Sequence, residues 1–374
     1  MPTQYSNSKP VISIFLPDLL GGGAERSMVV LANALAARGY AVDMVLAICR
    51  GVYFDELSKE VNLVCLGAKR VATSLLPFIR YAKKRKPYVV LSVLDHVNLI
   101  SIWAKLIGRL NFRLCISVRG VLSEAYPNYK PVKFRAVPYL ATVFYRFADC
   151  VVAVSNYVRQ DLIDNFQLSA DKVVTIYNPI DVEYILRVAQ QEVEHRWFNP
   201  KKIPIVLGAG RLDPEKDFCT LLRAFAHVLQ KVDCRLVILG QGEERQKLVR
   251  LAHQLGIDDK VDFPGFDPNP YRYMKRADVF VLSSRFEGLP GVLIQAMALG
   301  KPVVTTDCPG GVREILEDGK WGAIVPVGNA ERMAEAILAG LAGKLPDPSA
   351  RARDFSVERS VERYLEVLEL KSKT

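Results

Sequence analysis

Two doubly wound α/β domains in tandem are the fold this sequence predicts. Short apolar runs without period-two alternation take turns with longer segments of helical periodicity. That series stops and restarts midway along the chain. A glycine-containing turn follows the opening strand of each half. The 374 residues suit two domains better than one, and a composition of 50% hydrophobic and 24% charged residues lets both bury a core.

In the first half, Val11–Leu16, Ala41–Ile48, Val89–Leu94, Leu114–Val118 and Cys150–Ser155 read as parallel strands covered on both faces. Ala24–Arg38 carries its apolar residues at helical spacing. In the second half, Ile205–Ala209, Arg235–Leu239, Lys260–Phe263, Val279–Leu282 and Pro302–Thr305 are the strands. Helices are expected near Asp217–Gln230, Gly242–Leu255, Gly291–Ala298 and Ala330–Ala342. The join falls around Asn178-Pro179-Ile180-Asp181, where proline and turn-forming residues interrupt the pattern. This gives a first domain at 1–180, a second at 181–355 and a terminal segment at 356–374. Within that segment Val357–Lys371 is a charged amphipathic helix, and crossing back onto the first domain is one arrangement open to it.

Several classes are excluded. Val89–Gly108 is broken by Asp95, His96, Asn98 and Lys105, and Val137–Val154 by Arg146 and Asp149, so neither reads as a membrane span. The apolar run Val11–Leu16 is too short for a secretory signal. The seven cysteines, at 49, 65, 115, 150, 219, 234 and 308, contain no Cys-x-x-Cys pair. They predict a reducing compartment, with neither structural zinc nor a disulfide scaffold.

The net charge of +10 is unevenly placed. Residues 1–180 hold 22 Lys+Arg against 12 Asp+Glu, whereas 181–374 hold 28 of each. Between 101 and 147 lie Lys105, Arg109, Arg113, Arg119, Lys130, Lys133, Arg135 and Arg146 against the lone acid Glu124. Aromatics are interleaved there, among them Trp103, Tyr126, Tyr129, Phe134, Tyr139, Phe144 and Phe147. Either an anionic partner for the first half alone, lipid headgroups or nucleic acid, or an ordinary basic surface accounts for this pattern.

In open α/β sheets ligands bind beyond the carboxyl ends of the strands, so the loops after strands hold the candidates. Gly21-Gly22-Gly23 precedes a helix whose first N–H groups suit an anion, or it is simply a tight turn. It is not the dinucleotide fingerprint. Arg211 and Lys216, in Gly210-Arg211-Leu212-Asp213-Pro214-Glu215-Lys216, are two cations able to face a departing diphosphate from an open cleft. Glu287, in Phe286-Glu287-Gly288-Leu289-Pro290-Gly291, is a carboxylate in apolar company just before a helix. Cys308-Pro309-Gly310-Gly311-Val312-Arg313-Glu314 either admits a ligand or merely permits a turn. His96 and Arg119 follow strands of the first half and are either cleft or packed residues. There is no Asp-x-Asp, His-Glu-x-x-His, P-loop or nucleophile elbow.

Taken together, the motifs at 210–216, 286–290 and 310–314, with Gly21-Gly22-Gly23-Ala24-Glu25-Arg26 and Tyr177-Asn178-Pro179-Ile180-Asp181, resemble glycosyltransferase family four over nearly the whole chain. That resemblance implies a GT-B architecture, two Rossmann-like domains facing across a cleft, and a retaining, metal-independent transfer from a nucleotide sugar. It implies that Arg211 and Lys216 grip the donor diphosphate and that Glu287 touches the donor sugar. Gly21, Gly22, Gly23, Gly210, Gly240, Phe263, Pro264, Leu289, Pro290, Gly291, Val292 and Leu293 complete the implied donor side. Where the family carries a second glutamate for the nucleotide ribose, this chain has Gln295, an uncharged amide still able to bond hydroxyls. Where many relatives carry histidine it has Arg119, a cation suited to an anionic acceptor; His96 and Arg119 are the acceptor-side candidates.

The resemblance thus implies a UDP-sugar donor, no cofactor and no metal. It points to surface polysaccharide or lipopolysaccharide synthesis and to front-face substitution without a covalent intermediate, while the basic, aromatic character of the first half fits a polyprenyl-diphosphate or glycan acceptor. An anionic membrane surface, not nucleic acid, then accounts for the basic half, and the expected place is cytoplasmic, peripheral on the inner membrane face. A nucleotide-sugar epimerase of the same architecture and a basic nucleic-acid-binding protein are the alternatives.

Overall fold

A computed structural model describes residues 10–125 and 137–370. These divide into two compact units, one of residues 10–125, 137–179 and 357–370 and one of residues 180–356. Each unit is built on one parallel sheet.

The first sheet contains β1 (Val11–Leu16), β2 (Ala41–Leu46), β3 (Asn62–Cys65), β4 (Val89–Val93), β5 (Arg113–Val118), β6 (Cys150–Ala153) and β7 (Val173–Thr175). Their spatial order is β3-β2-β1-β4-β5-β6-β7, all parallel. The order reverses between β1 and β4, which makes their carboxyl ends the switch point of the sheet.

Strand alternation sorts the two faces of this sheet. Ile12, Ile14 and Leu16 of β1 join Met28 and Leu31 of the helix Gly23–Ala37 in one core, together with Val361, Tyr364 and Leu365 of the helix Val357–Val367. That terminal helix buries a stripe at i, i+1, i+4 and i+5, which docks it beside Gly23–Ala37 on the first unit. The alternate residues point to the other face. Phe15 stacks on Phe78 of the helix Leu75–Arg85 at 4.4 Å, and Ser13 Oγ lies 2.6 Å from Tyr81 Oη. Asp43 of β2 is fully buried and receives Arg85, Tyr81 and Asn62. Burial opposes its charge, but those donors outweigh it and hold its carboxyl below the ordinary value. The helices Asp95–Gly108 and Val137–Phe144 complete this layer, joined through an edge-to-face contact of Trp103 with Phe144 at 5.7 Å.

The second sheet contains β8 (Ile205–Ala209), β9 (Arg235–Leu239), β10 (Val261–Gly265), β11 (Val279–Leu282), β12 (Val303–Thr306) and β13 (Ala323–Val325), in the order β10-β9-β8-β11-β12-β13. The switch point here lies between β8 and β11. Its core packs Val206, Leu236 and Val281 against Leu221 and Phe225 of the helix Phe218–Leu229 and Met333 and Ile337 of the helix Ala330–Leu341. Side-chain caps fix several helix starts, as where Asp181 accepts Tyr184 N–H at 2.8 Å and Asn329 accepts Arg332 N–H at 2.9 Å.

Two features depart from the sequence expectation. β3, β7 and β13 were not expected; each has three or four residues and lies at or next to a sheet edge, too short to leave a periodic signal. The expectation of no disulfide is corrected: Cys49 and Cys65 are joined, with Cα atoms 5.3 Å apart. The parallel pairing of β2 with β3 sets Leu46 opposite Cys65 and so brings the two cysteines together, which no sequence spacing shows.

Candidate functional site

In the second unit the two loops at the switch point are fastened to each other. The loop after β8 runs through Arg211 to a short turn at Pro214–Lys216, and the loop after β11 carries Ser283, Ser284, Arg285 and Glu287. Ser283 Oγ donates to the Lys216 carbonyl at 2.7 Å, and Arg285 N–H to the Glu215 carbonyl at 2.8 Å. Between the loops, Lys216 Nζ lies 2.7 Å from Glu287 Oε1, and Ser284 Oγ donates to the same oxygen at 2.6 Å. Both charged side chains are largely covered, 18% exposed for Lys216 and 10% for Glu287. Burial by itself would depress the Lys216 ammonium; Glu287 and Glu215 overcome it and hold the group above its ordinary value.

Lys216 is therefore a half-buried, partnered cation, not the open one expected. Arg211 differs: its side chain is 65% exposed and is steered by Glu215 at 2.9 Å and Asp213 at 3.4 Å. One cation is thus fixed inside the site and one stands at its rim.

The turn Cys308–Gly311 is a scaffold for Glu287. Glu287 N–H donates to the Pro309 carbonyl and Gly311 N–H to the Gly288 carbonyl, both at 2.9 Å. Gly310 has φ +130°, and a Cβ there would stand 1.7 Å from the Glu287 carbonyl oxygen, so only glycine allows this approach. Gly240, at φ +135°, plays the same part beside Gly210, whose carbonyl oxygen a Cβ would meet at 1.9 Å. Burial pushes the Cys308 thiol up to about 12, with Glu287 adding to the effect, so it is a neutral neighbour and no nucleophile.

The helix Gly291–Ala298 begins next, and by position the N–H groups of Gly291 and Val292 lack an intrahelical acceptor. Gln295 lies half-buried one turn in, its amide nitrogen 4.0 Å from where a Gly291 Cβ would be. Pro290, Leu289 and Leu293 are buried, so their side chains shape the loop and the helix. Phe263 is a core residue, 8% exposed, and its carbonyl accepts from Arg245 at 3.3 Å; its ring packs the second unit's interior. Pro264, beside it, is exposed.

In the first unit the candidates fall at the ends of β1, β4 and β5. Gly21–Gly23 opens the helix Gly23–Ala37, and the Glu25 carboxylate folds back over it: a Cβ on Gly22 would meet Glu25 Oε2 at 2.2 Å. His96 begins the helix Asp95–Gly108 and reaches solvent. Loss of solvation still holds its imidazolium below the ordinary value, against the pull of Asp95 and Asp18. Arg119 follows β5 and donates through Nη1 to Asn178 Oδ1. Its Nε and Nη2 are buried and have no hydrogen-bond partner among the described residues. Burial disfavours its charge, opposed by Tyr364 and Glu25, yet a guanidinium stays protonated.

Sequence reasoning missed Ser283, Ser284, Glu215 and Asn178, all partners of singled-out residues. Glu215 and Asn178 stand inside the quoted motifs and Ser283 and Ser284 just before one, so their signal was position alone. Lys130, Lys133, Arg135, Tyr126, Tyr129 and Phe134 lie outside the described residues. Among the described residues no three His, Cys, Asp or Glu side chains cluster to hold a metal ion.

Two parallel-sheet Rossmann-like units, the second with a cation and carboxylate site at its switch point, are the architecture of the GT-B class. A family model described as Glycosyltransferase Family 4 matches residues 21–184, and one described as Glycosyl transferases group 1 matches 190–353. The chain is 30% identical over 337 residues to the N-acetylgalactosamine-N,N'-diacetylbacillosaminyl-diphospho-undecaprenol 4-alpha-N-acetylgalactosaminyltransferase of Campylobacter jejuni, covering 87% of this chain and 88% of that one. It is 29% identical to the lipopolysaccharide core biosynthesis glycosyltransferase LpsE of Rhizobium meliloti, covering 93% and 96%. Among solved structures, a glycosyltransferase from Rickettsia africae superposes with a TM-score of 0.77 at 21% identity, covering 98% of this chain and 99% of that one. The chain belongs to glycosyltransferase family four and is a GT-B glycosyltransferase.

Proposed function

We propose that this glycosyltransferase moves a sugar from a UDP-sugar to a lipid-linked glycan acceptor, with retention of anomeric configuration and without a metal ion. The observation that carries the reading is the Lys216–Glu287 pair at the β8/β11 switch point, with Arg211 exposed beside it. Lys216 and Arg211 neutralise the departing diphosphate, assisted by the first N–H groups of the helix Gly291–Ala298. Glu287 holds the donor sugar, and its charge is set in place by Lys216 and Ser284. The Gln295 amide bonds the ribose. The family resemblance, not the spacing of these groups, favours attack by the acceptor hydroxyl from the face that the diphosphate leaves, with the leaving phosphate taking its proton.

The acceptor reading draws on two Campylobacter jejuni relatives whose names place their acceptors on diphospho-undecaprenol. In this chain Arg119, with its unsatisfied Nε and Nη2, suits an acceptor diphosphate, and His96 stands at the neighbouring strand end. A role in surface-glycan synthesis at the cytoplasmic membrane face follows.

The test is to incubate the protein with labelled UDP-sugars and polyprenyl-diphosphate glycans. Sugar transfer giving an α-linked product from an α-linked donor, unchanged in excess EDTA, is expected. Inverted configuration, or loss of transfer on chelation restored by Mg²⁺, refutes the mechanism. Conversion of the donor sugar without any acceptor identifies an epimerase instead.

A further inference from the structure

Among the described residues no helix is long and apolar enough to cross a membrane. The first unit nevertheless carries a distinctive outer layer. Its sheet is covered on one face by the helices Gly23–Ala37 and Val357–Val367, and on the other by Leu75–Arg85, Asp95–Gly108 and Val137–Phe144. The two layers differ in chemistry. Gly23–Ala37 and Val357–Val367 together hold Arg26, Arg359 and Arg363 against Glu25, Glu358, Glu362 and Glu366.

On the opposite layer residues 75–112 hold Arg80, Lys83, Lys84, Arg85, Lys86, Lys105 and Arg109, with Asp95 as their lone acid. Asp95 is taken up by the Tyr145 hydroxyl at 2.9 Å, and Asp149, at the layer's far end, by Lys105. Arg80, Lys83, Lys84, Lys86 and Arg109 are all exposed.

Apolar side chains stand among these cations. Leu76 is 60% exposed, Ile107 67% and Tyr139 78%, and Val143 and Phe147 are each 47% exposed. Tyr139 and Val143 are one turn apart on a single helix. Phe144 anchors that ridge on Trp103, and Phe147 packs against Phe144 at 6.3 Å. Exposed single apolar residues are ordinary; a ridge of them on adjoining helices, bordered by cations with hardly an acid, is the pattern of an interfacial surface.

We infer that the layer Leu75–Arg85, Asp95–Gly108 and Val137–Phe147 is the face on which this enzyme docks to an anionic lipid bilayer. The cations lie at the headgroups, while Tyr139, Val143, Phe147 and Ile107 enter the boundary with the acyl chains. The proposal rests on the reading of a membrane-held acceptor, but its test does not use catalysis.

The full-length protein is sedimented with vesicles of phosphatidylcholine alone and of phosphatidylcholine with phosphatidylglycerol. Binding to the anionic vesicles alone, weakening as salt rises above about 0.1 M, is expected, since screening sets in over about 10 Å. Each cation near an anionic leaflet raises binding about fivefold, so the triple variant Arg80→Glu, Lys83→Glu and Lys84→Glu should lose roughly a hundredfold or more. Tyr139→Ser with Phe147→Ser should weaken binding about tenfold and leave its salt dependence in place.

The control reverses Arg223, Lys231 and Arg250, exposed cations of the second unit, and should bind as the parent does. Unchanged melting curves establish that each variant folds. No binding of the parent to anionic vesicles at low salt overturns the proposal, as does an equal loss in the control. Tight binding of the parent to a nucleic acid or an acidic protein with no binding to vesicles overturns it in favour of that partner. Sugar transfer to a water-soluble acceptor is read separately. If transfer persists without vesicle binding, the docking face fails and the catalytic reading stands; if vesicle binding persists without transfer, the reverse holds.

Discussion

Replacing Lys216 with alanine separates what the buried pair does for folding from what it does for transfer. The ammonium is 2.7 Å from Glu287 Oε1 and 3.8 Å from the nearer Glu215 oxygen, so its loss leaves two carboxylates facing each other without a cation between them. Glu287 retains Ser284 as a donor but is only 10% exposed. Breaking a fully buried pair costs about 3–5 kcal/mol; with both side chains touching solvent here, about 1–3 kcal/mol of stability should go. Turnover should fall by roughly a hundredfold or more, the scale of losing one group that stabilises developing charge.

The double variant Lys216→Ala with Glu287→Gln should recover most of the stability, because no unpaired charge remains, and none of the turnover. The lysine's contribution is also expected to be insensitive to pH across the neutral range. The lysine is held above 10.5, so its stabilising charge is complete below that value and is lost only as pH rises through the higher folded one. Denaturant melts and initial rates of transfer provide the readouts. If Lys216→Ala keeps the parent's turnover, or if the double variant recovers turnover along with stability, Lys216 does no more than hold the loop and its assignment to the donor diphosphate fails.

Three further outcomes are expected. Gly310→Ala should cost about 1–3 kcal/mol or more and most of the activity, because its Cβ would drive the Glu287 carbonyl away; a melt and a rate matching the parent would show that the turn does not position Glu287. Cys49→Ser should lower stability by about 3 kcal/mol, the scale for closing a loop whose ends are 16 residues apart, and thiol reductant should do the same to the parent and nothing to the variant. Arg211→Ala, removing a 65% exposed side chain, should leave the melting curve unchanged while cutting turnover by about a hundredfold; a stability loss equal to that of Lys216→Ala would contradict their different settings.

The sequence by itself determined the class of fold and the loops that matter. Buried parallel strands write themselves as unbroken apolar runs such as Val89-Val90-Leu91, and the rule that ligands bind beyond strand ends picked out Gly21–Gly23, Arg211, Lys216 and Glu287 without coordinates. Tertiary structure decided what those residues face. Lys216 and Glu287 are 71 positions apart, and only the pairing of β8 with β11 sets them at 2.7 Å and buries them together. The same holds for Cys49 with Cys65, for the small edge strands, and for Phe263, which the second core absorbs. It holds again for the basic layer of the first unit, where Arg80, Lys83 and Lys84 join the ridge at Tyr139 and Val143 because three helices separated in sequence pack on one face of a sheet. Local periodicity and composition report what a residue's neighbours along the chain require of it; burial, charge pairing and shared surfaces depend on neighbours that only sheet order and helix packing supply.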